Sequence, residues 1–392
     1  MNILGISPHH HSSVCLLQDG EIKFFNQEER IVRTKKAISF PFKTLIDVIQ
    51  NNHIDFVAQC SPGIQFPLSD LNNSNSEEDT TSYFGELINR YHPDALIQDF
   101  GTNDHHLIHA FHSFYNSRFK EAIGVVIDGL GSGSPDFTLR ETETFYHLTY
   151  PHKHKILFKN LSAFIDIDPY QEKESNKTIS PCTNISRCYE QVTTYLGWGI
   201  NEAGKTMGLS SYGKPNTNLP SFFIDQFDMK YGNPKIFIPD YIEDIRYDHR
   251  LSDSYYPILS LPSHPKSWHR DSSKITQIEK DISWKIQNDT QQIVGDYIER
   301  SIKKTGLKQV CCSGGYFLNC VTNYYLIKRF PDIEFYFEPI ANDAGTAIGA
   351  AKLLWHQLTE DTTIRPFKSL YLGKHYSKDE LLEGIKNYTC EN

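Results

Sequence analysis

No two of the eight cysteines form a CxxC pair, so a zinc site built on thiolates is not expected. Cys15, Cys311 and Cys312 fall in apolar, strand-like runs, where a buried thiol acts as a small hydrophobe. That usage fits a reducing cytoplasm. No apolar run approaches the roughly 20 residues needed to span a bilayer. The opening MNILGIS leads straight into a strand without a signal-peptide pattern, so no membrane partner is expected. Basic charge is scarce too: 39 Lys and Arg stand against 48 Asp and Glu, for a net charge of -9. This balance argues against a nucleic-acid partner, a local basic patch aside. There is no short-period repeat. What the chain does have is 22 Tyr, 24 Phe and 392 residues, enough for two domains or one duplicated fold with two lobes.

Four of the seventeen histidines fall in one stretch, Asn103 to Phe119. Asn103 or Asp104 can cap a helix running through Leu107, Ile108, Ala110, Phe111 and Phe114. His105 and His109 are then four apart on one face, within reach of a single ion. Such a pair alone is more often core packing than a ligand pair, the remaining histidine positions being solvent or core. Two carboxylates change that balance. Asp128 follows the apolar strand Ile123 to Ile127 and opens a glycine-rich turn, and Asp343 follows the strand Phe335 to Phe337. Two imidazoles with one or two strand-end carboxylates make a mixed N/O site suited to Fe(II), Mn(II) or Zn(II).

The remaining segments read in order as scaffolding. Asn2 to Ile6 is a buried strand, and Val14 to Leu17 and Glu21 to Asn26 form a hairpin about Asp19-Gly20. The polar loop before it carries His9, His10 and His11. Gln27 to Lys36 is a charged cluster, either a solvated face or, through Lys35, an anion contact in a cleft. A helix with Leu45, Val48 and Ile49 follows, then a polar surface loop from Asp70 to Thr81. Strands are expected within Phe145 to Leu161 and a helix from Tyr189 to Leu196. The Gly/Lys-rich segment around Lys205 can bind phosphate or form an ordinary surface turn. Residues 216–275 look like an insertion over the substrate. Asp281 to Lys304 is the longest amphipathic helix. A strand from Lys308 to Cys312, the turn Ser313-Gly-Gly315 and a helix from Tyr316 then offer backbone N–H groups to phosphate or nucleotide. A helix from Thr346 to Gln357 closes a two-lobed α/β fold with a central cleft.

Ile3-Leu-Gly-Ile6, Asp19-Gly20, Gln27-Glu-Glu-Arg30 with Lys35, and Phe40-Pro41 begin an ordered set of motifs. His105-His-Leu-Ile-His-Ala110, Asp128-Gly129, Gly204-Lys-Thr-Met-Gly-Leu-Ser-Ser-Tyr-Gly213, Ser313-Gly-Gly-Tyr-Phe-Leu-Asn-Cys320 and Asp343-Ala-Gly-Thr-Ala-Ile-Gly-Ala350 complete it. Together they resemble the N-terminal domain of the O-carbamoyltransferases that tailor antibiotics and nodulation factors. That domain is similar to the actin-like, sugar-kinase and heat-shock-ATPase fold, and to the metal-containing protein that transfers threonylcarbamoyl to tRNA.

The resemblance implies a first lobe at 1–120, a second at 121–375 and, at 376–392, a tail or the start of a further domain. It implies that His105, His109, Asp128 and Asp343 hold a metal, iron first, with Mn or Zn as alternatives, that grips nucleotide phosphates. Gly314, Gly315 and Asn319 would line the nucleotide site, with Lys205 nearby. Lys35 would contact phosphate or the carbamoyl group, and His10 would deprotonate the acceptor hydroxyl. The family has His-Asp where this chain has His9-His10-His11, which leaves open which histidine is the base. ATP and carbamoyl phosphate would supply a carbamoyl-adenylate, and a small-molecule alcohol would accept the group. The family's second domain carries a Gly-Pro-Arg-Ala-Leu-Gly motif that is absent from this sequence, so a separate adenylate-forming domain or subunit is an expected partner. The rival readings are a threonylcarbamoyl transferase acting on tRNA and a nucleotide-binding partner without chemistry.

Overall fold

The chain builds two five-stranded sheets on one plan. The computed structural model describes residues 1–8, 11–35, 40–60, 80–100, 104–132, 139–163, 185–219, 275–373 and 376–387. The first sheet contains β1 (Asn2–Ser7), β2 (Ser13–Gln18), β3 (Glu21–Gln27), β4 (Phe56–Gln59) and β5 (Leu96–Asp99), in the order β3-β2-β1-β4-β5. β1, β2 and β3 run antiparallel, whereas β4 and β5 add in parallel on the other side of β1. The second sheet contains β6 (Glu121–Ile127), β7 (Leu139–Thr149), β8 (Lys153–Ala163), β9 (Gln309–Ser313) and β10 (Glu334–Phe337). Its order is β10-β9-β6-β7-β8, with β6, β7 and β8 antiparallel and β9 and β10 parallel to β6. Exchanging β1 through β5 for β6 through β10 turns one sheet into the other. This is the duplicated, two-lobed α/β architecture expected from the sequence.

Local chemistry explains the strands. Asp19 and Gly20 both have positive φ (49° and 79°), the two-residue turn whose twist matches antiparallel neighbours. β6 reads as an unbroken apolar run because both its faces are covered. Ala122 and Val126 enter one core cluster, and Ile123, Val125 and Ile127 enter another. The cysteines behave likewise: Cys15, Cys60, Cys188, Cys311 and Cys312 are free and buried.

The helices are α1 (Glu28–Val32), α2 (Phe42–Asn51), α3 (Thr80–Tyr91), α4 (His105–Asn116), α5 (Ile185–Tyr195), α6 (Ala203–Ser210), α7 (Gln277–Thr305), α8 (Cys320–Arg329), α9 (Thr346–Thr359) and α10 (Lys378–Asn387). α2 lays Leu45, Val48 and Ile49 on the outer face of the first sheet, as its spacing predicts. α7 covers the outer face of the second sheet with Ile282, Ile286, Val294 and Ile298. The Glu279 carboxylate fixes its start by accepting from the Thr276 N–H and hydroxyl, and Gly306, at φ 73°, ends it. The Gly/Lys-rich segment is helix α6 rather than a surface turn. Gly204 and Gly208 fall where a side chain would meet nothing, while Thr206 is buried and bonds Thr193 at 2.7 Å. No helix among the described residues is long and apolar enough to cross a membrane. Asp70 to Asp79 of the expected surface loop, and 220–274 of the expected insertion, lie outside the described residues.

Between the sheets, α4 and α9 cross. α4 lies within the first 120 residues yet packs on β6, β7 and β9, and α9, from the later part of the chain, packs on β1, β2 and β4. One core runs through all of them, from Ile3 and Ala58 through Ala350, Leu354, Phe111 and Phe114 to Val126 and Cys311. Small residues set the spacing. A Cβ on Gly5 would stand 2.0 Å from the Ala347 carbonyl oxygen, one on Gly349 2.6 Å from the Ile108 carbonyl oxygen, and one on Gly345 2.1 Å from His112 Cε1.

Gly5→Ala therefore forces β1 and α9 apart at a backbone oxygen that no rotamer change can relieve. We expect a loss of about 1–3 kcal/mol or more, the cost of overpacking a tight core. The denaturant midpoint measures it, and an unchanged midpoint would refute this contact.

Candidate metal centre

His105 and His109 lie one turn apart on α4, with ring centroids 4.7 Å apart, and both are fully buried. Asp104 sits at the cap position, but its side chain makes no capping bond; the Ser132 hydroxyl instead accepts from the His105 N–H at 3.0 Å. This ties the start of α4 to the turn after β6, and Asp128 heads that turn. Asp343 comes from the loop after β10, where the Asn342 side chain accepts the Ala344 N–H. Two serines of the first sheet hold this loop from the other side. Ser7 donates to the Asp343 carbonyl at 3.0 Å, and Ser13 to the Ala344 carbonyl at 2.7 Å.

The four side chains offer ligand atoms that all lie within 4.8 Å of one another. His109 Nε2 is 3.3 Å from Asp343 Oδ1, and His105 Nε2 is 3.5 Å from Asp128 Oδ2 and 3.7 Å from Asp343 Oδ1. Donors about 2.1 Å from a shared ion stand roughly 3.0–3.4 Å from one another, so the observed spacing is that of an ion's ligands, slightly relaxed. His105 Nε2 is buried without a hydrogen-bond partner among the described residues, an arrangement that costs free energy unless something binds there. Two carboxylates and two neutral imidazoles also match the charge of a divalent cation. The residues fit the group.

Electrostatics agree. Burial pushes His105 down, but the Asp128 carboxylate 3.5 Å from Nε2, the Cys60 thiol at Nδ1 and the charge of Asp343 hold it well above the ordinary imidazole value. Burial and the charge of Asp343 push Asp128 up, yet the neighbouring His105 and His109 imidazoles bring it to about 2.

Three supporting residues escape a search for ligands. His109 Nδ1 lies 3.1 Å from Ser313 Oγ, and His105 Nδ1 3.7 Å from Cys60 Sγ, so each Nδ1 is engaged and each Nε2 is turned to the centre. The Gly315 N–H donates to Asp128 Oδ1 at 2.9 Å. Ser313 stood in a recognised motif, but its partner is 204 residues away in sequence. The other two histidines are structural. His106 Nδ1 bonds Thr144 Oγ1 at 2.8 Å, and His112 lies 3.6 Å from Glu338 Oε1.

The remaining candidates divide. Gly314, at φ 97°, receives the close approach of the Ile127 carbonyl, 2.2 Å from where a Cβ would sit, so only glycine fits. With Gly315 it packs the turn directly against Asp128. The Asn319 side chain is committed to the scaffold: Oδ1 caps α8 at the Thr322 N–H, and Nδ2 donates to Gln287 Oε1. Lys205 is exposed and pairs with Glu202 at 2.5 Å. Bonds from Lys205 and the Gly199 N–H hold the Glu202 carboxyl below its ordinary value, and the charge of exposed Lys35 adds to them. Two lysines from distant stretches thus act on one carboxylate. His9 and His10 lie outside the described residues, whereas His11 is described and has φ 58°.

Comparison with known proteins places these residues in context. Residues 81–352 match the family described as Carbamoyltransferase N-terminus, a span that takes in all four candidate ligands, Lys205, Gly314, Gly315 and Asn319. Nodulation protein NolNO of Sinorhizobium fredii is 23% identical over 396 residues, covering 95% of this chain and 50% of that protein. An uncharacterized Synechocystis protein is 25% identical over 437 residues, covering 98% of this chain and 62% of that protein. The chain thus spans one half to three fifths of these relatives' lengths. Among solved structures, HypF of T. kodakarensis aligns with a TM-score of 0.52 and 12% identity over 92% of this chain and 48% of that one. At that identity the likeness is one of fold.

We expect one transition metal per chain in protein purified without a tag, measured by elemental analysis. His105→Ala/His109→Ala removes both nitrogen donors and should abolish it. Full metal content in that double variant would end the assignment.

Proposed function

This chain belongs to the carbamoyltransferase N-terminal domain family, and from that premise we propose that it passes a carbamoyl group from a carbamoyl-adenylate to the hydroxyl of a small molecule. The observation that supports the reading best is the joint placement of the four ligand-type side chains and the Gly314-Gly315 turn within the matched span. In the proposed reaction the acceptor oxygen attacks the carbamoyl carbon. Its bond to the adenylate phosphate oxygen breaks, AMP leaves, and the acceptor proton passes to a base. An alcohol is a poor nucleophile until that proton is taken, and His10 is the candidate for the task. A divalent ion held by His105, His109, Asp128 and Asp343 would neutralise charge on the phosphate-bearing leaving group.

The chain's own residues carry the remaining work. Gly314 and Gly315 present the turn that would receive the nucleotide. Lys35 and Lys205 supply positive charge for an anion, and Glu202 holds one of them in place until it binds. His105 and His109 keep Nε2 toward the leaving group because Cys60 and Ser313 engage Nδ1. The large cluster behind α4 excludes water from the ligand set.

Lys35→Ala should weaken nucleotide or carbamoyl-phosphate binding in calorimetry and leave the melting temperature unchanged, because an exposed lysine adds little to stability. Unchanged affinity would return Lys35 to the solvated surface. The activity itself is tested by incubating the 392-residue chain with acceptor alcohols and carbamoyl-adenylate generated in situ by a supplied adenylate-forming domain. AMP release that depends on the alcohol is expected. With ATP and carbamoyl phosphate alone we expect no pyrophosphate, since the arginine-bearing motif is absent from the sequence. Rapid pyrophosphate release by this chain alone would overturn that division of labour.

A further inference from the structure

Next to the metal centre, and unused by the proposed chemistry, lies a buried polar chain. Lys352 Nζ, on α9, donates to Asn116 Oδ1 at 2.7 Å and to the Arg365 carbonyl at 3.3 Å. Asn116, the last residue of α4, donates from Nδ2 to Glu338 Oε2 at 2.9 Å. Glu338 Oε1 accepts the Ile340 N–H at 3.1 Å and stands 3.6 Å from His112 Nε2, while the Tyr336 hydroxyl donates to Oε2 at 3.3 Å. Lys352, Asn116, Glu338 and His112 are 4%, 1%, 2% and 0% exposed, so this is interior structure and not a surface ion pair.

Apolar side chains of similar size would stabilise the site at least as well, because taking a lysine and a carboxylate out of water costs several kcal/mol per ion before their attraction offsets it. Burial pushes Glu338 up to about 7 and Lys352 down to about 8, and each is drawn back toward its charged form by the other. What the arrangement supplies is geometry. Its members stand on α4, on the segment between β10 and Asp343, and on α9, so they join the elements that carry or flank His105, His109 and Asp343. Asn116 lies seven residues beyond His109 on α4, about 10 Å along the helix. Glu338 grips the backbone of the loop that leads to Asp343. Lys352 sits on α9, which begins just after that loop. The His112 ring, on α4, rests against Gly345 two residues after Asp343.

We propose that Asn116, bridging Lys352 and Glu338, is a positioning residue that sets the distance between the histidine pair on α4 and the carboxylate of Asp343. The proposal rests on the reading of those four residues as a divalent-metal centre, which the experiment tests separately.

The full chain, stripped with a chelator, is titrated with Co(II), following affinity by chelator competition and geometry by the visible absorption band. Asn116→Leu keeps the volume and breaks both hydrogen bonds. Leu354→Ala, in the same core but outside the polar chain, serves as a destabilised control. We expect Asn116→Leu to lose 10–100-fold in Co(II) affinity and to shift the band, the effect of removing an outer-shell partner. Leu354→Ala should stay within about twofold of the parent with its band unmoved. Lys352→Met, which leaves α4 intact, gives the same reading if Asn116→Leu does not fold. Equal losses in the variant and the control, or an unmoved band in both Asn116→Leu and Lys352→Met, would overturn the proposal. Failure of the parent chain to bind Co(II) would overturn the metal reading itself, and the proposal with it.

Discussion

Everything in this molecule depends on how closely α4 can approach α9. The two helices are the only layers between the sheets among the described residues, and each is borrowed: the earlier helix packs on the later sheet, and the later helix on the earlier sheet. Their separation is fixed by hydrogen atoms standing where side chains would be, at Gly345 and Gly349. At that distance a histidine pair on one helix meets an aspartate at the head of the other. One residue larger at the crossing, and the imidazoles and the Asp343 carboxylate would no longer share a volume small enough for one ion. The core and the centre therefore obey a single constraint, and the large aromatic side chains of α4 fill the space that the glycines leave further along.

The cluster of His105, His109, Asp128 and Asp343 was legible in the sequence because its parts follow short-range rules. His105 and His109 obey the helical period, and Asp128 and Asp343 stand at the ends of strands that read as apolar runs. The strands, the long helix α7 and the Asp19-Gly20 hairpin were legible for the same reason. What the sequence did not reveal is long-range. Nothing near Ser313 points to His109, and nothing near Cys60 points to His105. The duplication was invisible as a repeat because it survives in strand order while the side chains filling the two halves differ. Composition leaves the Gly/Lys-rich segment open between phosphate binding through Lys205 and an ordinary surface turn; it is helical and no turn, since docking on α7 outweighs the modest cost of two exposed glycines.

The supporting residues show how a buried charged site is made tolerable. Each histidine has its Nδ1 engaged by a weak partner, a hydroxyl or a thiol, that orients the ring without competing for Nε2. Each aspartate is anchored elsewhere, Asp128 through the Gly315 N–H and Asp343 through its own backbone. The Asp128 carboxylate, held this way, does not swing freely toward a competing partner, and the Asp343 backbone is fixed by the first sheet, so the scaffold sets the field at the centre.

The partners at this site are far apart along the chain: His109 and Asp343 are separated by 234 residues. Closing a loop of that length costs about 5 kcal/mol in chain entropy by the logarithmic rule, and little of the site exists until it is closed. During synthesis the two histidines and Asp128 emerge long before Asp343, and until it arrives the cluster of four is incomplete. Assembly of the four side chains is thus a late event, tied to the docking of α9 onto the first sheet. A chain that misplaces that helix leaves Asp343 away from its three partners, so the completed cluster is a mark that folding itself stamps on the finished protein.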